Sequence, residues 1–243
     1  MSADKINTEP FTKENLDTYL KELAKEFKKL NGKIVPAELI LIGGAAVLVN
    51  YGFRDMTYDV DAVIISSSAM KMAINNVGDR LGLPNGWLNT DFIKTKSYTP
   101  KLAEYSKYYK TFSNILQVRT ISKEYLVAMK LMAGRRYKND LSDIIGIIIE
   151  QNKIGEPLSI DIIKQACINL YGTYDNIPQN SRDFLQAIYN QNNLEEFYNR
   201  CRESEIENKD ILVQFEKDDK HVLNASNLDD ILNAARKKKE NGE

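Results

Sequence analysis

Two neighbouring stretches decide how this chain folds: Ala37-Glu-Leu-Ile-Leu-Ile-Gly-Gly-Ala-Ala46 and Thr57-Tyr-Asp-Val-Asp-Ala-Val-Ile-Ile65. The first is a short apolar run between Pro36 and Gly43, which predicts a buried strand over 37–42. The glycine pair breaks it, and Ala45 to Asn50 reads as a short helix. The second stretch predicts a strand over 58–65. Side chains alternate along a strand, so Asp59 and Asp61 are expected on one face, with Val60 and Ala62 turned into the core. Two carboxylates that close repel each other unless a cation lies between them. Oxygen ligands of this kind suit Mg²⁺, which takes one or two carboxylates together with phosphate oxygens. Gly43 and Gly44 let a backbone turn approach a phosphate, and the following helix adds its N-terminal dipole.

Outward from this centre, Leu16, Leu20, Leu23, Phe27 and Leu30 recur at helical spacing, predicting a helix over 12–31 with Thr12 as N-cap and Gly32 as stop. A helix is expected over 66–81, loop and short helix over 84–113, and a third strand over 114–120. Helices follow over 122–133 and 138–150. Everything after Ile154 reads helical, broken near Gly155-Glu-Pro157, Gly172 and Pro178. The expected class is α+β: a small mixed β-sheet with flanking helices and a helical C-terminal half. The organisation expected is an N-terminal helix in 1–33 packing on a core in 34–153, then a helical region in 154–243.

Composition excludes several classes. Apolar residues make 43% of the 243 and charged residues 28%, the balance of a globular protein. No apolar run approaches the ~18 residues that cross a bilayer, and the N-terminus lacks a signal-like apolar segment, so a cytoplasmic location is expected. Two cysteines, Cys167 and Cys201, make no disulfide framework or zinc ribbon. The single histidine, His221, is expected to be exposed, and rules out a Ser-His-Asp triad or a His-based zinc site. Net charge is only -1, yet residues 94–138 carry eleven Lys and Arg against Glu104 and Glu124. Tyr98, Tyr105, Tyr108 and Tyr109 are interleaved with Lys101, Lys107 and Lys110, a pattern that serves either RNA stacking or a mixed helix face. Trp87 reads as a core or lid anchor.

The order strand, Gly43-Gly44, helix, Thr57-x-Asp59-x-Asp61, strand resembles the polymerase-β-like nucleotidyltransferase superfamily. Leu83-Pro-Asn-Gly-Trp-Leu-Asn89, then Val118 to Tyr125, Leu126 to Arg136 and Lys138-Asn-Asp-Leu-Ser-Asp143 resemble a bacterial branch of it. That branch is akin to the AbiEii-type and MenT-type toxin nucleotidyltransferases, and the likeness covers about residues 35–150. It implies Mg²⁺-dependent transfer of an NMP from an NTP to a hydroxyl; the likeness to toxins points to tRNA or another RNA as acceptor and a cognate antitoxin as partner, while a small molecule or a protein side chain would use the same core. A protein of the same fold that only binds nucleotide or docks a partner is the alternative. The implied site joins Asp59 and Asp61 as metal ligands to Lys130 and Asp143 as catalytic groups. Gly43, Gly44, Arg54, Thr57, Lys130, Arg135, Arg136 and Asp140 would contact the nucleotide. Members of the superfamily carry a third carboxylate on a neighbouring strand, and Asn114-Ile-Leu-Gln-Val-Arg-Thr120 has none. Asp140 or Asp143 substitutes for it, or one metal ion is held weakly, or nucleotide is bound without efficient transfer.

Overall fold

In the computed structural model, residues 9–31, 35–218, 223 and 227–240 are described. The centre is a five-stranded mixed sheet of β1 (Ala37–Leu41), β2 (Val60–Ile65), β3 (Leu88–Asn89), β4 (Ser106–Phe112) and β5 (Leu116–Ile121), in the order β3-β2-β1-β5-β4. β1 runs antiparallel to β2 and parallel to β5, while β3 pairs parallel with β2. As the middle strand, β1 is apolar on both faces because both are covered.

Its alternate residues divide the core. Leu39 and Leu41 face a layer containing Phe11, Trp87 and helices α1 (Lys13–Asn31) and α3 (Ala69–Leu81). Ile40 and Ile42 face α4 (Lys123–Ala133), α5 (Asp140–Lys153), α6 (Ile160–Tyr171) and α7 (Gln179–Tyr189). Trp87 is a core anchor: its Nε1–H donates to the Ile74 carbonyl at 3.1 Å, and its ring stacks on Phe11 with centroids 6.2 Å apart. At the N-terminus of α1, the Thr12 amide donates to Asn15 Oδ1 (2.8 Å) while the Asn15 amide reaches Thr12 Oγ1 (3.4 Å). That reciprocal cap fixes the start of the helix. The expected stop, Gly32, and the expected exposure of His221 fall outside the described residues.

The expectations shift in four places. β2 begins at Val60, which leaves Asp59 in the approach to the strand. α2 opens at Gly43 and runs to Asn50, so both glycines are helical. The segment 84–113 contains β3 and β4, two strands the sequence reading took for loop. β4 is an edge strand with Lys107, Tyr108, Lys110 and Thr111 exposed, so its pattern lacks a full apolar face. Asn114 is not the start of β5 but half of the turn before it. Ser113 and Asn114 both have positive φ (51° and 55°), the conformation of a two-residue hairpin turn.

Beyond α7 lie α8 (Leu194–Asp218) and α9 (Leu228–Glu240). Among the described residues, no helix is long and apolar enough to cross a membrane.

One packing contact gives a direct test. A Cβ at Gly146, inside α5, would lie 2.6–2.7 Å from three carbons of the Phe53 ring. That ring is hemmed in by Tyr51 and Tyr198, with centroids 5.7 and 6.1 Å away. Alanine gains up to about 1 kcal/mol of helix propensity over glycine, but overpacking against a held aromatic ring costs about 1–3 kcal/mol. Gly146→Ala should therefore lower stability in urea unfolding, against the usual sign for this substitution in a helix.

Candidate active site

The end of β1 and the start of β2 meet at the glycine pair. The Ile42 amide donates to the Asp61 carbonyl at 3.1 Å, and the register Leu41↔Ala62 sets Gly43 beside Asp61. Gly43 has φ +54°, the left-handed region, and a Cβ there would come within 3.5 Å of Asp61 Oδ2. Gly44 is tighter still: a Cβ would lie 2.7 Å from Thr57 Oγ1 and 3.0 Å from Arg54 Nη2. Any side chain at 44 would push these groups away, so glycine is required. Thr57 is buried, and its hydroxyl donates towards the Asp59 carbonyl (3.2 Å) and Oδ1 (3.3 Å). Its backbone is pinned by Phe11 through two amide–carbonyl bonds of 2.7 and 2.9 Å. The first turn of α2 thus opens beside Asp61, where its dipole favours an anionic group.

Asp59 is exposed and Asp61 half-buried. Burial, and then the charge of Asp59, push the Asp61 carboxyl up to about 6, with Arg135 and Lys138 pulling in the opposite direction. A smaller upward push comes from Asp91. That residue follows β3, whose Asn89 pairs with Asp61, so it lies two positions past the partner of Asp61. Sequence reading missed Asp91, because a two-residue strand has no periodicity and its place is set by pairing with β2. Neither Asp59 nor Asp61 has a Lys or Arg ion-pair partner among the described residues. Among those residues no cluster of three or more His, Cys, Asp or Glu stands in metal-binding geometry.

Arg54, Lys130, Arg135, Asp140 and Asp143 form a neighbouring ion cluster, buried at Lys130, Asp140 and Asp143 and open to solvent at Arg135. Lys130 is 5% exposed, with Nζ 2.7 Å from Asp143 Oδ2 and 3.3 Å from Asp140 Oδ1. Arg54 Nη1 donates to Asp143 Oδ2 at 2.6 Å. Arg135 forks onto Asp140 through Nε (2.8 Å) and Nη2 (3.3 Å). Burial pushes the Asp140 carboxyl up, but Lys130 and Arg135 outweigh it and hold it below the usual carboxylate value. The structure therefore places Lys130 against two aspartates, and turns Asp140 and Asp143 towards cations on their own side. Arg54 and Arg135 link the two groups: Arg54 borders Gly44, and the charge of Arg135 is felt at Asp61. The Arg136 carbonyl accepts from Asn208 Nδ2 at 2.8 Å.

The basic excess of 94–138 is partly spent on acids distant in sequence. Lys110 pairs with Asp17 (2.7 Å), Arg119 with Glu38 (3.8 Å) and Lys123 with Glu156 (2.6 Å). Tyr105 stacks on Tyr125 at 3.8 Å, Tyr109 donates to Asp17, and Tyr98 packs edge-on against Phe92. Lys96, Lys107 and Tyr108 stay exposed.

Two outcomes follow. Lys130→Ala leaves two buried carboxylates short of a cation and should cost about 3 kcal/mol in denaturant unfolding, whatever it does to ligand affinity. For Asp61, a folded-state value raised from 3.8 to about 6 means that folding favours the protonated form. Its contribution is present below about pH 4 and is lost as the pH rises through 6. Asp61→Asn should therefore be more stable than the parent at pH 8, by about 1 kcal/mol after allowing for solvent screening. The difference should vanish near pH 4 in paired thermal melts.

No curated protein matches the chain. A family described as nucleotidyltransferase of unknown function (DUF6036) matches residues 18–191, well over half of its length. The chain belongs to this nucleotidyltransferase family.

Proposed function

We propose that this protein moves an NMP from an NTP to a hydroxyl acceptor, in a Mg²⁺-dependent reaction centred on Asp59 and Asp61. One observation carries the reading. The acids of the neighbouring cluster, Asp140 and Asp143, are paired with Lys or Arg, whereas Asp59 and Asp61 have no such partner among the described residues. These two lie beside a glycine turn that is bordered at Gly44 by the Thr57 hydroxyl and the Arg54 guanidinium. A carboxylate pair in which burial, and then the neighbouring charge, lifts one member to about 6 gains from a divalent cation.

Asp59 and Asp61 would hold Mg²⁺, which when bound neutralises and polarises phosphate oxygens. Thr57 fixes the Asp59 carboxylate in place. Gly43 and Gly44 let the phosphates approach the backbone and the first turn of α2. As the acceptor oxygen bonds the α-phosphorus and the α–β bridging bond breaks, pyrophosphate leaves with the electron pair. Arg135 and Lys138, whose positive charge reaches Asp61, would face the charge building on it. Asp91, whose charge is felt at Asp61 and whose carboxylate pairs with Lys94 at 2.9 Å, would take the part left above to Asp140 or Asp143 and accept the proton of the attacking hydroxyl. Lys130, Asp140 and Asp143 hold the two arginines in position. Lys96, Lys107 and Tyr108 support RNA as the acceptor, a narrower surface than the lysine count of 94–138 implied. A toxin role with a cognate antitoxin, like the AbiEii-type and MenT-type likeness, rests on the motif resemblance alone.

The test is incubation of the protein with each α-³²P-labelled NTP, Mg²⁺ and total RNA. Label should enter RNA, should depend on Mg²⁺, and should be lost with Asp61→Asn while that variant remains folded. Label retained by Asp61→Asn removes the carboxylate-pair mechanism. Label on protein or on a small molecule instead moves the acceptor away from RNA.

A further inference from the structure

The family match ends at residue 191, and α8 begins at Leu194, yet α8 reaches the site. Glu205, in its middle, is 3% exposed and spans the start of α5. Its Oε1 accepts the Leu141 amide at 2.8 Å and the Ser142 amide at 3.3 Å, and its Oε2 accepts the Ser142 hydroxyl at 2.5 Å. These are amides of the first turn of α5, the same turn that carries Asp140 and Asp143. A carboxylate there satisfies amides that have no partner within the helix and complements its dipole. Asn139, the residue before α5, supplies no cap of its own. One helical turn either way, Arg202 donates to Asn139 Oδ1, and Asn208 donates to the Arg136 carbonyl at 2.8 Å. Lys209 lies over the ring of Tyr58, the residue before Asp59, with Nζ 5.5 Å from its centroid.

These contacts share one target. Gly134 ends α4 and Asp140 begins α5, and the link between them carries Arg135 and Lys138, the two cations whose field reaches Asp61. Arg202, Glu205 and Asn208 grip that link and the helix end that anchors it. We propose that Glu205 is a positioning residue of the transfer reaction: through α8 it caps α5 and holds the Arg135–Asn139 link so that Arg135 and Lys138 face the phosphates at Asp61. The role rests on the transferase reading, and it lies on a helix outside the segment that defines the family. Glu205 touches neither Asp59 nor Asp61 in any contact found, so it acts through the link and not on the reacting atoms.

The test uses the full-length protein with Glu205→Ala, Glu205→Gln and Asn208→Ala. The first readout is amide hydrogen exchange of residues 135–139, which needs no nucleotide. Glu205→Ala should speed exchange there about tenfold, the mark of local opening, while α1 and the sheet keep their protection. Glu205→Gln retains an oxygen for the α5 amides and should restore most of the protection. In labelled-NTP turnover, Glu205→Ala should lower kcat about tenfold with little change in KM, because the cations it aims act on charge developing in the transition state. If Glu205→Ala does not fold, Asn208→Ala removes the bond to the Arg136 carbonyl and should show the same exchange in milder form. Unchanged exchange at 135–139 in folded Glu205→Ala or, failing that, in folded Asn208→Ala overturns the proposal. Inactivity of the parent protein towards every NTP would instead sink the transferase reading, and the exchange result would still decide whether α8 holds the link.

Discussion

The antiparallel pairing of β1 with β2 is the constraint on which the site depends. It sets Ile42 against the Asp61 carbonyl, so that the chain leaving β1 must turn within reach of the Asp61 side chain. A residue with a Cβ at 44 would collide with Thr57 and Arg54, and one at 43 would need a left-handed backbone. Glycine at both positions thus lets β1, α2 and β2 converge without displacing Thr57 and Arg54. Burying β1 on both faces makes that convergence stiff, since sliding the register by one residue would exchange Leu39 and Leu41 with Ile40 and would carry Asp61 to the other face.

Around this point the protein distributes charge in two ways. Lys130, Arg54 and Arg135 meet Asp140 and Asp143 in a cluster with little solvent at its centre. Such a cluster contributes little net stability, because desolvation offsets the Coulomb gain, but removing one member is expensive. Its value is geometric: it fixes where two guanidinium groups lie. The Asp59–Asp61 pair is the opposite case. There no Lys or Arg ion pair forms among the described residues, and burial and the Asp59 charge push Asp61 towards the neutral form against the weaker pull of Arg135 and Lys138. This contrast between neutralised and open carboxylates is what supports the proposed Mg²⁺ site at Asp59 and Asp61.

What could be read from the sequence was what is local. Gly43-Gly44 and Thr57-x-Asp59-x-Asp61 combine a turn and a period-two strand within thirty residues, and the backbone does the rest. The first-turn aspartates of α5 and the lysine of α4 were visible as residues, but their partners were not: only the packing of α4 on α5 brings Lys130 to Asp140 and Asp143. Asp91 was hidden because β3 is two residues long and exists only by pairing with β2. The basic run at 94–138 misled for a related reason, since Asp17, Glu38 and Glu156 lie far away in sequence and reach it only in the fold. Glu205 belongs to a charged helix, and nothing in its sequence neighbours marks it as the cap of another helix.

The account turns on where a divalent ion and a nucleotide sit. The most direct measurement is anomalous diffraction from Mn²⁺ in crystals grown with a non-hydrolysable NTP. The account predicts an anomalous peak bonded to both Asp59 and Asp61, with phosphate oxygens on its remaining sides and the phosphates lying against Gly43 and Gly44. Nucleotide bound elsewhere, or Mn²⁺ held by Asp140 and Asp143 with Lys130 displaced, would contradict it.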